Sequence, residues 1–334
     1  MAKNNVQIKE KNKVKFDFYE EIQRSCLNCG EKGMLIFYEI NHIPIHSCLL
    51  IPSRSEALNY PTGNLRLGYC PACGFIANTQ FDAHRHEYST RYEETQGFSP
   101  CFNSFARSLS QRLIDQYDIR DKNILEIGCG KGEFLMLMCE LGNNRGIGID
   151  PSYVPGRLDN QMNLPVRFIQ DFYSDKYTDL TADVICCRHT LEHIAPTWSF
   201  LRQLRNAIDG RTDTLIFFEV PDTVRVLKEG AFWDIYYEHC SYFTPGSLTR
   251  LFQSSGFNLL DVSLDYDDQY LLLTAKPDET KGSPIFQKKD NLDVLPRQII
   301  EFQQIAADRI EQWHLTIEKI VSNGGKVVIW GSSS

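Results

Sequence analysis

Short apolar runs recur through the middle of the chain, each closed by a polar or glycine-rich break and followed by an amphipathic stretch. Ile124, Leu125 and Ile127 form the first, Gly146 to Ile149 the second, Pro165 to Ile169 the third, Ala182 to Cys187 the fourth and Thr214 to Val220 the fifth. Runs this short and this continuously apolar predict strands buried on both faces. Helical spacing lies between and before them, in Phe134 to Leu141, in Trp198 to Ile208, and in Phe105, Leu109, Leu113, Ile114 and Tyr117. The alternation predicts an α/β chain built on one doubly wound parallel sheet with helices on its faces. Past Ala275 the pattern changes. Pro277 to Asp290 reads as a linker, and Ile299, Phe302, Ala306, Ile310, Trp313, Ile317 and Ile320 form one stripe of a long helix. Asn323-Gly324-Gly325 stops that helix, and Lys326 to Trp330 predicts a fresh strand before Gly331-Ser332-Ser333-Ser334, as if another α/β domain were beginning.

The first strand opens into NILEIGCGKGEFL, Asn123 to Leu135, where Gly128, Gly130 and Gly132 mark a tight turn into a helix. Glycines there leave backbone N–H groups and the helix N-terminus open to a ligand. A dinucleotide fingerprint needs glycine where this chain has Glu133, and Glu126 and Glu133 would repel a pyrophosphate. The ammonium and sulfonium of S-adenosylmethionine suit those carboxylates better. Asp150 ends the second run about 20 residues on, where an acid accepts from ribose hydroxyls. Gln170-Asp171-Phe172 ends the third, placing Asp171 for an adenine edge and Phe172 for its face, although Phe172 would serve equally well as core. His189-Thr190-Leu191-Glu192-His193 follows the fourth run at the sheet edge where ligands of such folds bind, with His189 on the cofactor side. His189 and His193 stand at i, i+4, but the HExxH order of zinc proteases is absent and no metal is assigned there. The ordered set Glu126, Gly128, Gly130, Gly132, Asp150, Asp171 and Phe172 resembles the class I S-adenosylmethionine-dependent methyltransferases. That resemblance implies a Rossmann-like sheet and an S-adenosylmethionine cofactor site.

At 334 residues, 42% hydrophobic and 12% aromatic, the chain has enough apolar mass for roughly two domains. A formal net charge of -8 disfavours broad phosphate-backbone binding, so a small-molecule partner is expected over nucleic acid. The lysine-rich start has no apolar leader segment, and no apolar stretch is long enough to span a bilayer, which predicts a cytoplasmic protein with no membrane partner. Eleven scattered cysteines do not look like a disulfide framework. Cys129, Cys139, Cys186 and Cys187 sit in apolar runs as small hydrophobes. Cys26-Leu27-Asn28-Cys29-Gly30 and Cys70-Pro71-Ala72-Cys73-Gly74 differ: two CxxC turns, each followed by glycine, offer the thiolates a tetrahedral structural zinc demands. His42, His46 and Cys48 lie between the pairs as spare candidates. The domains expected are a polar tail at 1–22, a zinc-binding domain at 23–86, a methyltransferase domain with a connector helix at 87–276, and a linker, long helix and incomplete α/β domain at 277–334.

Two further stretches carry chemistry. His84 to Tyr92, continuing to Pro100, is a polar connector in which Tyr88 and Tyr92 could cover a cleft and donate to a substrate oxygen. Trp233 to Phe243 packs an imidazole, a carboxylate and several phenols into a few residues, all able to hold or move a proton near neutrality. Together with the CxxC pairs and the glycine turn, YEHCSYF resembles the zinc-containing C-methyltransferases of nucleotide-linked deoxysugars, over about Cys26 to Ala275. The resemblance implies catalytic roles for Tyr236, Glu238 and His239 in a Tyr-x-Glu-His motif, for His193, and for a tyrosine falling on Tyr88 or Tyr92. It also implies a second doubly wound domain after the long helix. Carbon methylation needs a base to make the nucleophile and donors to hold the enolate oxygen. His239 is the expected base, with Glu238 raising its basicity or orienting a hydroxyl, and Tyr236, His193 and a lid tyrosine as donors. Methylation of oxygen or nitrogen on another small molecule, and a non-catalytic zinc and S-adenosylmethionine-binding protein, are the alternatives.

Overall fold

The computed structural model describes residues 17–85, 91–93, 95–156, 164–278 and 291–328. Its N-terminal part runs β1 (Glu20–Ser25), β2 (Lys32–Pro44), α1 (Arg54–Leu58), β3 (Thr62–Tyr69) and β4 (Ile76–Asn78). The central part runs α2 (Pro100–Tyr117), β5 (Asn123–Ile127), α3 (Glu133–Gly142), β6 (Arg145–Ile149), β7 (Val166–Ile169), β8 (Val184–Arg188), α4 (Thr197–Ile208), β9 (Leu215–Pro221) and α5 (Thr223–Glu229). Then come β10 (Ser241–Tyr242), α6 (Pro245–Ser254), β11 (Phe257–Asp265), β12 (Tyr270–Pro277) and α7 (Leu295–Ser322).

The apolar runs pair as a seven-stranded sheet in the order β11-β12-β9-β8-β5-β6-β7. β5 to β9 pair with one another in parallel. The strand order reverses at β5, which lies between β6 and β8, so a crevice opens beyond the carboxyl end of β5. The sheet is mixed rather than all parallel, because β12 runs antiparallel to both β11 and β9. A tight hairpin returns the chain there through Tyr266, Asp267 and Asp268, all at positive φ, and a hairpin can only pair its strands antiparallel.

Local chemistry fixes the helices that frame the crevice. α6 begins at Pro245 behind a reciprocal cap in which Thr244 and Ser247 each accept from the other's backbone N–H. α5 begins where the Asp222 carboxylate accepts from the N–H groups of Val224 and Arg225, and it ends at Gly230 in the left-handed region.

The N-terminal sheet has five strands in the order β1-β2-β3-β4-β10, so its last strand comes from the middle of the chain. Residues 17–22, expected in a tail, already enter it: Phe18 is buried and stacks on Tyr69 with ring centres 6.1 Å apart. Cys26, Cys70, Cys73 and Phe75 share one buried cluster with Phe218, Phe243 and Phe252 from the central part. The two parts therefore have a common core, and what happens at the cysteines reaches the crevice.

α7 buries Ile299, Phe302 and Ala306 completely, but from its middle onward the same stripe is open, with Ile310 46% and Trp313 62% exposed. The expected strand after it is not formed over residues 326–328; Ile329 and Trp330 lie outside the described residues. No helix among the described residues is long and apolar enough to cross a membrane.

Candidate active site

The glycine turn after β5 holds Gly128, Gly130 and Gly132 at φ of +70°, +51° and +83°. Gly128 is constrained twice, because a Cβ there would also collide with the Thr190 side chain. Gly128→Ala is therefore expected to destabilise the fold by about 2 kcal/mol. Chemical denaturation reads this directly, and an unchanged midpoint would mean that Thr190 gives way freely.

Around the turn the donor-side groups converge. Asp150 at the end of β6 is buried, with Oδ2 accepting from the Gly130 N–H at 2.8 Å and Oδ1 from the Ser152 N–H and hydroxyl at 2.7 and 2.6 Å. Glu126 is 2% exposed, and its Oε2 has no hydrogen-bond partner among the described residues. Burial pushes its carboxyl up to about 8, against the pull of the Arg188 charge. Phe172 is 59% exposed and forms part of the cavity wall, so it is not core. Asp171 departs from expectation: its Oδ2 takes Lys176 Nζ at 2.8 Å and the Tyr177 hydroxyl at 2.5 Å, which hold the carboxyl near 2. Asp171 is not among the residues that line the cavity, while its neighbour Phe172 is.

Behind this layer lies a charged network that the sequence reading missed. Arg188 ends β8 directly opposite Glu219 on β9, and the two form a bidentate pair at 2.7 and 2.9 Å. Glu219 Oε1 also meets His189 Nε2 at 2.8 Å, while His189 Nδ1 stands 3.5 Å from Glu192 Oε1. Burial opposes the charge on His189, but the two glutamates outweigh it and raise its pKa to about 9, so the ring is a cation at neutral pH. Burial likewise raises Glu219, and the Arg188 and His189 charges overcome it, leaving the acid near 2. A signal was present: two opposite charges, each interrupting an otherwise apolar run.

The acceptor side collects His193, His239 and Tyr236. The His239 ring centre lies 4.8 Å from that of His193 and 4.6 Å from that of Tyr236. His193 closes a single tight turn, Leu191–His193, instead of lying on an α-helix, so His189 and His193 do not share a helical face. Burial first, and then the neighbouring His193, push His239 down to about 4, which keeps it neutral and able to accept a proton. Glu238 acts on the ring only as a nearby charge that favours its protonation, and its hydrogen bonds run the other way. Its Oε1 accepts from the Ser47 N–H at 2.9 Å and from the Ser47 hydroxyl, and its Oε2 accepts from the Tyr92 hydroxyl at 3.1 Å, with His46 Nδ1 3.7 Å away. Consecutive side chains point apart, so Glu238 fastens the N-terminal part and Tyr92 to the loop whose other side presents His239. Tyr88 lies outside the described residues.

A strap from the connector crosses the glycine turn: Glu93 pairs with Lys131, Thr95 donates to Glu133 Oε2 at 2.7 Å, and Gln96 donates to the Tyr270 hydroxyl at 3.0 Å. One cavity of about 630 Å³ results, lined at one end by Gly128, Gly130 and Asp150 and at the other by His193, Tyr236 and His239. Gly132 sits just behind it as the N-cap of α3.

The four CxxC cysteines lie apart from this cavity. Cys26 and Cys73 sulfurs are 3.6 Å apart, Cys29 and Cys70 sulfurs 3.8 Å, and all four lie within 4.8 Å of one another. A tetrahedron with zinc–sulfur bonds of about 2.3 Å has edges of about 3.8 Å, so the thiols fit that ion. Gly30 and Gly74 close the two turns by donating to the Cys26 and Cys70 carbonyls at 2.8 and 2.9 Å. Of the spare candidates, His46 faces Glu238 and Cys48 lines the cavity, while His42 is not in the cysteine cluster. The turns grip the central part: Arg250 on α6 donates twice to the Cys73 carbonyl, at 2.7 and 3.0 Å, and Asn28 Nδ2 donates to the Ser247 carbonyl at 3.2 Å.

Residues 102–262 match the family model described as a methyltransferase domain. Among curated proteins, the C-methyltransferase NovU of Streptomyces niveus is 27% identical over 165 residues, 47% of this chain and 38% of that protein. The ribosomal protein L11 methyltransferase of Pasteurella multocida is 30% identical over 101 residues, 29% of this chain and 34% of that protein. The chain thus spans little more than a third of the length of these relatives. Among solved structures, a Burkholderia thailandensis 1,6-didemethyltoxoflavin-N1-methyltransferase with bound S-adenosylhomocysteine is 19% identical with a TM-score of 0.42, covering 55% of this chain and 83% of that one. Magnesium protoporphyrin IX methyltransferase from Synechocystis PCC 6803 is 13% identical with a TM-score of 0.41, covering 53% and 84%. With the family match spanning the glycine turn, Asp150 and the five parallel strands of the sheet, the chain carries a class I, Rossmann-like, S-adenosylmethionine-dependent methyltransferase domain.

Proposed function

We propose that the protein methylates a carbon of a nucleotide-linked keto-deoxysugar through a base-generated enolate. The observation that carries this reading is that one cavity holds the glycine turn at one end and a neutral imidazole, His239, beside His193 and Tyr236 at the other. Similarity to a protein named a C-methyltransferase supports it. Bound S-adenosylmethionine supplies an electrophilic methyl group. His239 takes the proton on the carbon beside the acceptor carbonyl, and the C–H electron pair becomes the enolate. Tyr236 and His193 donate hydrogen bonds to the developing oxyanion. The enolate carbon bonds to the methyl as its bond to sulfur breaks, leaving S-adenosylhomocysteine, and His239 then passes its proton to water. Incubating the protein with a keto-sugar nucleotide in heavy water is expected to exchange the α-proton; methylation of oxygen or nitrogen without exchange would overturn the reading.

On the donor side, Glu126 is assigned to the ammonium of S-adenosylmethionine. Its carboxyl, held near 8 by burial, is protonated at pH 7 and ionises when a cation arrives. Donor binding below about pH 8 is therefore expected to release a proton and to tighten as pH rises towards that value. Calorimetry in buffers of different ionisation heat measures the release; equal heats at pH 7 would remove Glu126 from the role. Asp150 and Phe172 are assigned to the ribose and adenine. Cys26, Cys29, Cys70 and Cys73 are assigned to a zinc ion which, with every position taken by sulfur, supports the fold and leaves no open site.

A further inference from the structure

Glu192 stands between the two halves of the cavity and has no place in the reaction as drawn above. It is 2% exposed, a costly position for an ionised carboxylate unless cations or donors surround it. Oε1 faces His189 at 3.5 Å, and His189 is itself pinned by Glu219, which Arg188 holds from behind. Oε2 is buried with no hydrogen-bond partner among the described residues. An oxygen of Glu192 and one ring nitrogen each from His193 and His239 lie within 4.8 Å of one another. A rigid chain of charges thus runs from Arg188 through Glu219 and His189 to a carboxylate beside the imidazole pair.

We propose that Glu192 is a positioning residue for the methyl transfer: its buried carboxylate, anchored by His189 and within 4.8 Å of a nitrogen of His239, favours the tautomer that carries the proton on the nearer His239 nitrogen, so that the other lone pair is presented to the acceptor. The proposal rests on the assignment of His239 as base. Glu238, the other carboxylate near the ring, accepts from Ser47 and Tyr92 on the opposite side of its loop. A neutral imidazole has two tautomers, only one of which leaves the working nitrogen free, and a fixed carboxylate selects it. The groups facing His239 are His193, Glu192, Glu238 and His189, with Tyr236 and Tyr242 against its ring. Among the carboxylates, Glu192 alone belongs to the cluster with both imidazoles.

The test compares the wild-type chain with Glu192→Gln and Glu192→Asp by nitrogen NMR of labelled histidines at pH 7 and by kinetics with a keto-sugar nucleotide. The wild type is expected to show one tautomer of His239 and the Gln variant a mixture. In the Gln variant kcat falls about 10- to 100-fold while S-adenosylhomocysteine affinity stays within about twofold. The Asp variant keeps the tautomer and recovers part of the rate, and it carries the test should the Gln variant not fold. An unchanged tautomer in the Gln variant, an unchanged kcat, or donor affinity lost in proportion to kcat would overturn the proposal. A wild-type protein that exchanges no α-proton would instead sink the enolate reading, leaving the tautomer to decide Glu192 by itself.

Discussion

Replacing His239 by alanine is expected to slow α-proton exchange and methyl transfer about 10²- to 10⁴-fold, the range of a lost general base. S-adenosylhomocysteine binding should persist, because the donor-side groups Glu126, Gly130 and Asp150 belong to β5, β6 and the turn between β5 and α3, away from the loop carrying His239. The size of the effect follows from the surroundings. Burial and His193 keep the ring unprotonated at neutral pH, and Tyr236 and His193 pack edge-on against it, so water left in its place would be a weaker and poorly aimed base. A His239→Ala protein that exchanges the α-proton at the wild-type rate would remove His239 from this role, and His193 would become the next residue to test.

The second large effect concerns the cysteines. Cys70→Ser, or stripping of the proposed zinc by a chelator, is expected to cost several kcal/mol, since metal binding at such sites is itself folding free energy. The damage should travel. Cys70 and Cys73 share a core with Phe243 and Phe252, the Cys73 carbonyl holds Arg250, and β10, just after His239, is an edge strand of the same sheet as β4. Ser47, shortly after β2 of that sheet, fastens Glu238. Acceptor turnover should therefore fall much further than donor affinity, as read by calorimetry with S-adenosylhomocysteine beside an activity assay. A Cys70→Ser protein with wild-type stability and turnover would mean that the cysteine cluster takes no part in shaping the acceptor wall.

The central sheet was legible because its signals are local. Ile124 to Ile127 is apolar on both faces, three glycines follow at once, and Asp150 ends the next run, so period and punctuation fall within a few residues of each other. The two CxxC turns are legible for the same reason. What sequence could not supply is contact at long range. Glu238 and Ser47 are 191 residues apart, and nothing in YEHC tells which way its carboxylate turns. Nor does Gln170-Asp171-Phe172 tell that Lys176 and Tyr177, from the next turn of chain, donate to the Asp171 carboxylate. Glu192 drew no role of its own in the run His189 to His193, because its burial depends on Glu219 and Arg188 from neighbouring strands, which the local sequence does not reveal. The hairpin of β11 and β12 had its turn signal in Asp265-Tyr266-Asp267-Asp268-Gln269, which an expectation of purely parallel strands passed over.

In this protein a methyl group is expected to travel from the glycine-turn end of one cavity to a carbon activated at its histidine end. Incubating the protein with S-adenosylmethionine labelled with carbon-13 in its methyl group and a nucleotide-linked keto-deoxysugar, then recording carbon NMR of the product, tests this most directly. The expected result is a labelled methyl coupled to a sugar ring carbon, formed about 10²- to 10⁴-fold more slowly by the His239→Ala protein. A label found on oxygen or nitrogen, or no transfer to any keto-sugar nucleotide by a protein that binds the donor, would contradict it.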